Sequence, residues 1–139
     1  MSWRRVGTSS VVAAMCLALG GCGSGRGEVV QAEGLAILVG EKSGDAADAL
    51  LSGTLADVSG CLGVDDTVVV WPHGTKVVEE HPLTVAVPGL GRVGLGDQVK
   101  LGGGVALDQY PSPHTAGDVD IAGVTVPAAC TTHNVWVGG

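Results

Sequence analysis

The chain has 139 residues, 24 of them glycine, no phenylalanine, a single tyrosine, three tryptophans and a formal net charge of −7. That length suits one small domain and argues against two independent cores. The acidic balance repels phosphate backbones and anionic headgroups, which excludes nucleic-acid binding and attachment to a membrane by charge alone.

Trp3, Arg4 and Arg5 open the chain, and no charged residue follows from Val6 to Gly21. A basic start followed by the short apolar run Val11 to Leu19 has the form of an export signal. A spanning helix needs about 20 apolar residues, so this run is expected to be cleaved rather than retained. Val6-Gly7-Thr8 after the arginine pair favours general secretion over the twin-arginine route. Leu19-Gly20-Gly21-Cys22 then resembles the bacterial lipobox, in which small residues precede a cysteine that receives a diacylglycerol thioether. Residues 1–21 are therefore expected to leave as a signal peptide, with Cys22 as the lipidated mature N-terminus. Two palmitate-class chains, at ~0.8 kcal/mol per buried methylene, anchor a protein stably without a transmembrane helix. The expected address is the extracytoplasmic face of the cell membrane.

Cleavage leaves 118 residues carrying five basic and 14 acidic side chains, a net charge of −9. With so few aromatics, the core must be built from Val, Leu, Ala and Ile, and a small core of that kind gains from a covalent staple. Cys16 leaves with the signal, Cys22 takes the lipid, and Cys61 and Cys130 remain as a pair outside the reducing cytoplasm. A Cys61 to Cys130 disulfide is expected; the absence of a Cys-x-x-Cys motif argues against redox chemistry.

Gly23 to Gly27 reads as a flexible tether, with 22–33 assigned to lipidated cysteine plus tether and 34–139 to the folded domain. Beyond it the apolar runs are short, valine-rich and punctuated by Gly, Pro and Asp, which is a strand pattern. Leu35 to Val39 is the first predicted strand, and Glu41 to Asp48 a polar loop. Leu50 to Val58 ends at the turn Ser59-Gly60, and Cys61 to Val64 and Thr67 to Trp71 flank a tight hairpin turn at Asp65-Asp66. Pro72-His73-Gly74 stops that strand. Leu83, Val85 and Val87 alternate with Thr84 and Ala86, predicting a strand with one buried face. After the Pro88 to Gly91 turn come Arg92 to Leu95 and Gln98 to Leu101, with Val93, Leu95, Val99 and Leu101 inward and Gly102-Gly103-Gly104 ending the pattern. Tyr110 to Gly117 is a loop by composition, and Val135 to Val137, carrying Trp136, is the last strand. The fold expected is mainly β: a small single-domain barrel or sandwich of short strands, with an OB-like barrel fitting the count.

Gly53-Thr54-Leu55, Gly60-Cys61-Leu62, Val70-Trp71-Pro72 with Gly74, Gly96-Asp97-Gln98-Val99 and Leu101-Gly102-Gly103, followed by Pro127 to Cys130 and Trp136, resemble a group of small hypothetical lipoproteins of actinobacteria. That group carries no assigned activity. The resemblance implies a compact disulfide-linked β-domain and no catalytic residues.

His73, His81, His114 and His133 lack the close spacings that place two ligands on one face, so no metal site and no cofactor are expected. Asp65-Asp66 and Asp118-Val119-Asp120 do not continue into a calcium loop. No serine sits in a Gly-x-Ser-x-Gly elbow outside the tether, and no glycine run imitates a phosphate loop. Trp71, His73 and Tyr110 form the patch most suited to a ligand, although in a core without phenylalanine the favoured reading is that Trp71 fills the barrel end. The reading favoured is a non-catalytic, membrane-held binding module for an envelope protein or ligand, using an edge strand or the Trp71 region. The alternative is a small envelope hydrolase whose residues, among them His73, Asp97, His114 and His133, converge only in the fold.

Overall fold

A computed structural model describes residues 25–43, 48–110, 112–113 and 117–139. The expected leader, Cys22 and His114 lie outside the described residues. Twelve strands follow in order: β1 (Glu28–Ala32), β2 (Leu35–Val39), β3 (Ala49–Val58), β4 (Cys61–Val64), β5 (Thr67–Trp71), β6 (Lys76–Glu79), β7 (Thr84–Val87), β8 (Gly91–Gly94), β9 (Gln98–Leu107), β10 (Val119–Ile121), β11 (Val124–Val126) and β12 (Val135–Gly138). No helix occurs among the described residues. The protein is all-β, as composition and alternation indicate.

Three of its hairpins use the same device. Glu33-Gly34, Ser59-Gly60 and Ala122-Gly123 each connect paired strands through two residues of positive φ. A two-residue loop of that kind has the twist that antiparallel strands require, and glycine at its second position removes the steric cost. Asp65-Asp66 joins β4 to β5 in the same span, and Asp65 both donates its N–H to the Thr54 carbonyl and accepts the Thr54 N–H on Oδ1 at 2.9 Å. That aspartate fastens the β4–β5 turn to β3.

Pairing closes a ring. β3 pairs with β4, β4 with β5, β12 with β9 and β9 with β3, all antiparallel, while β5 and β12 pair in parallel. Five strands in this order, with that one parallel contact, make an OB-like barrel. β4 and β5 remain paired only at Gly63↔Val68 and Val64↔Thr67; beyond those positions β2 enters between them, through Ala36↔Cys61, Leu38↔Val70 and Val39↔Trp71. β1 lies outside β2.

Period-two alternation sorts the side chains. Leu55, Leu62, Val64, Val69, Trp71, Val99, Leu101 and Trp136 fill the interior, joined by Leu35, Ile37 and Val39 of β2. A three-stranded meander, β6-β7-β8, packs Val85, Val87 and Val93 with Leu83 into the same cluster. The opposite faces of β2, β4, β5 and β12 form a second cluster, with Ala36, Leu38, Cys61, Val68, Val70 and Val135 covered by Val124 and Val126 of the β10-β11 hairpin. The Cys61–Cys130 disulfide lies in that cluster, its Cα atoms 6.3 Å apart.

Strands β6, β10 and β11 were not predicted from the sequence, and the structure departs from the sequence reading at three further places. Glu28–Ala32, within the stretch assigned to a tether, is strand β1, because Val30 and Ala32 find partners on the interior cluster. Leu95, predicted inward, is 42% exposed: Gly94 and Asp97 close a turn, with Asp97 N–H donating to the Gly94 carbonyl at 3.0 Å, and Leu95 sits on its tip. The triple glycine does not end a strand. β9 runs through it to Leu107, and β12 crosses so closely that a Cβ on Gly103 would lie 1.9 Å from the Val137 carbonyl oxygen and 2.7 Å from the Trp136 indole nitrogen. Gly103→Ala is accordingly expected to cost about 2–3 kcal/mol in urea unfolding, since the obstruction is backbone and its φ of 145° is positive. Gly117→Ala, with nothing within 4 Å, should leave the midpoint unchanged.

Candidate functional site

β2, β5 and β12 run in parallel, so their C-terminal ends meet at one rim. β5 ends at Trp71, level with Val39 at the end of β2, and Pro72 follows, whose ring cannot donate to a ladder. The β2 chain continues as Gly40 to Ser43, and β12 ends at Gly138 with Gly139 after it. Between them opens a cavity of about 390 Å³, lined by Gly40, Glu41, Lys42, Ser43, Trp71, Pro72, His73, Ala122 and the 137–139 segment.

Its walls are tied down by backbone bonds. Gly40 N–H donates to the Trp71 carbonyl, Glu41 N–H to that of Ala122, and Lys42 N–H to that of Gly25, each at 2.8 Å. His73 holds its Nδ1 3.3 Å from the Gly40 carbonyl. With Nδ1 donating, Nε2 of the neutral ring is left as an acceptor. Glu41, Lys42, Ser43 and His73 are thus the polar residues among its lining, with Gly40, Pro72 and Gly138 beside them. Such a set suits a small polar ligand carrying both donors and acceptors. A neighbouring hollow of about 240 Å³ lies along Gly103 to Ala106 and shares the 137–139 segment.

Of the residues singled out from sequence, Trp71 and His73 both border this cavity, but their roles differ. Trp71 is 0% exposed and its indole N–H donates to the Leu62 carbonyl at 3.1 Å, so the ring belongs to the core. His73 is exposed at the mouth. Tyr110 is 83% exposed and lines neither hollow. Sequence reasoning missed Glu41, Lys42 and Ser43 as lining residues; they followed a predicted strand as an ordinary polar loop. No local signal marked them, because the rim they share with His73 is set by the register of β2 on β5.

The remaining polar candidates have structural partners elsewhere. Asp97 Oδ2 accepts the Gly94 N–H at 2.8 Å, Asp118 Oδ1 that of Ala128 at 2.9 Å, and Asp120 Oδ1 the Thr125 hydroxyl at 2.6 Å. His81 Nδ1 lies 2.9 Å from Glu33 Oε1, which also accepts the His81 N–H. His133 Nε2 is 2.8 Å from the Ser59 hydroxyl, at the β3–β4 turn and outside both hollows. Among the described residues no three His, Cys, Asp or Glu side chains are grouped to hold a metal ion. No protein-family model, curated protein or solved structure matches the chain.

Proposed function

We propose that the chain is a membrane-anchored, extracytoplasmic lipoprotein whose β-domain binds a small envelope ligand in the cavity beyond β5, without performing chemistry on it. The cavity carries this reading: about 390 Å³ is room for a small molecule, and Glu41, Lys42, Ser43 and His73 are among the residues that line it. The address is supported by the lipobox-like Leu19-Gly20-Gly21-Cys22 behind a short apolar run. Kinship with small actinobacterial lipoproteins is part of the same proposal.

Cys22→Ser is expected to abolish incorporation of labelled lipid and to move the protein from the membrane fraction to the soluble fraction or leave it as an unprocessed precursor. Unchanged fractionation and lipid labelling would sink the anchor. For the ligand, the lipidated protein is isolated from its own envelope and weighed intact under native conditions. A non-covalent adduct should be present and fall at least tenfold in a Lys42→Ala, His73→Ala double variant. Both side chains are exposed, so this variant should unfold within about 0.5 kcal/mol of the parent.

The Ser59–His133 contact defines the competing reading of a small hydrolase. A serine activated by that imidazole would react with a fluorophosphonate probe, and the label would disappear in His133→Ala. Labelling of Ser59 with that dependence would replace the binding-module reading.

A further inference from the structure

The lipid is joined to the domain by a leash too short to separate the two. Gly25 is already locked to the fold, its carbonyl accepting the Lys42 N–H at 2.8 Å. Gly27 then runs so close to the β10–β11 turn that a Cβ there would meet the Gly123 carbonyl oxygen at 2.5 Å. Only three peptide links separate Cys22 from Gly25. Consecutive Cα atoms are 3.80 Å apart, so whatever path the chain takes, Cys22 lies within about 11 Å of Gly25.

Lys42, the residue that holds Gly25, is also a wall of the cavity. The β1–β2 hairpin supplies a direction. Its open end pairs Glu28 with Val39 beside Gly25 and the cavity rim, and its closed end is the Glu33-Gly34 turn. Five residues of strand separate the ends by roughly 17 Å. At the closed end Glu33 meets His81, next to exposed Glu79 and Glu80, and Arg92, 3.8 Å from Glu79, leaves the three carboxylates in excess. At the open end Arg26 and Lys42, two of the five basic side chains left after cleavage, stand beside Glu28 and Glu41. An anionic surface therefore repels the closed end and tolerates the open one.

We infer that the acylated protein stands on the bilayer with the open end of the β1–β2 hairpin down, so that the cavity mouth opens into the headgroup layer. The partner of this face is the lipid surface itself, and the cavity draws its ligand from molecules held there. The inference rests on acylation of Cys22, and its test separates the two.

The native lipidated chain is reconstituted into vesicles of phosphatidylcholine and phosphatidylglycerol doped with a phospholipid bearing a photoreactive headgroup. Vesicles are floated, irradiated, and the lipid adducts are mapped by peptide fragmentation. Adducts at residues 25–28 and 41–43 should exceed those at 79–81 at least fivefold. Equal labelling at both ends, or an excess at 79–81, on protein that floats would overturn the orientation and leave the anchor standing. Native protein that fails to float would overturn the anchor and the orientation with it.

Discussion

Trp71→Ala is expected to destabilise the domain by about 3–5 kcal/mol, the usual cost of truncating a large buried aromatic. The ring is the largest of the fully buried side chains, at 0% exposure, in a core that contains no phenylalanine to compensate. Its loss removes packing where β2 enters between β4 and β5, and strands the Leu62 carbonyl without the indole N–H that donates to it at 3.1 Å. A domain of this size has only about 5–15 kcal/mol in total. The variant should therefore unfold at a much lower urea concentration, and in part without urea at all. Trp71→Phe separates the two contributions, because it restores most of the volume but not the donor; a residual loss of about 1–3 kcal/mol is expected from the unpaired carbonyl. Tyr110→Ala, at an 83% exposed site, should change the midpoint by no more than about 0.5 kcal/mol. If Trp71→Ala and Tyr110→Ala unfold alike in urea, followed by far-UV dichroism, the ring is not where the fold places it.

Opening the disulfide is the second large effect. Cys61 begins β4 and Cys130 lies in the turn that follows Pro127, 69 positions later, and both are buried. Closing a loop of that length restricts the unfolded chain by roughly 4 kcal/mol on the chain-entropy account. In the folded state the bond holds the 127–134 segment against the β3–β4 turn, where Cys130 N–H donates to the Pro127 carbonyl at 2.9 Å and Thr131 Oγ1 to the Gly117 carbonyl at 2.8 Å. A Cys61→Ala, Cys130→Ala double variant should thus lose about 3–5 kcal/mol. Alanine leaves no hydroxyl in the apolar cluster, which makes it a cleaner replacement than serine. Matching urea midpoints for the parent and the double variant would show that the bond contributes nothing.

Much of the fold was legible because period-two alternation is unambiguous where one face is buried. Thr84–Val87 alternates half-buried and buried residues as Leu83, Val85 and Val87 predicted, and the Ser59-Gly60 and Asp65-Asp66 turns lie between the strands they were expected to join. The misreadings share a cause. Glycine was taken as a breaker at Gly102 to Gly104, whereas Gly103 marks a place where another backbone approaches within contact distance. Glu28–Ala32 carries a charged first residue and follows a glycine-rich run, so its pairing with β2 left little local trace. Two further X-Gly hairpins, at Glu33-Gly34 and Ala122-Gly123, used the same turn chemistry as Ser59-Gly60 and could have been read from it.

The candidate site was legible only in part. His73 was singled out for its position after a strand end, and it does line the cavity; Trp71 was singled out for the same reason, and its ring is buried, as the favoured reading of an aromatic in a core without phenylalanine had it. Which way an aromatic at a strand end points depends on the neighbour strand, and β2 lies more than thirty positions earlier in the chain.

The amino-acid sequence by itself determined an acidic, phenylalanine-free, all-β protein with a paired Cys61 and Cys130, because composition, alternation and turn chemistry act over a few residues. Tertiary structure alone decided that the parallel strands β2, β5 and β12 end at one rim, and that Glu41, Lys42, Ser43 and His73 line one hollow there. Convergence of that kind is set by strand order and register, which depend on partners far apart along the chain.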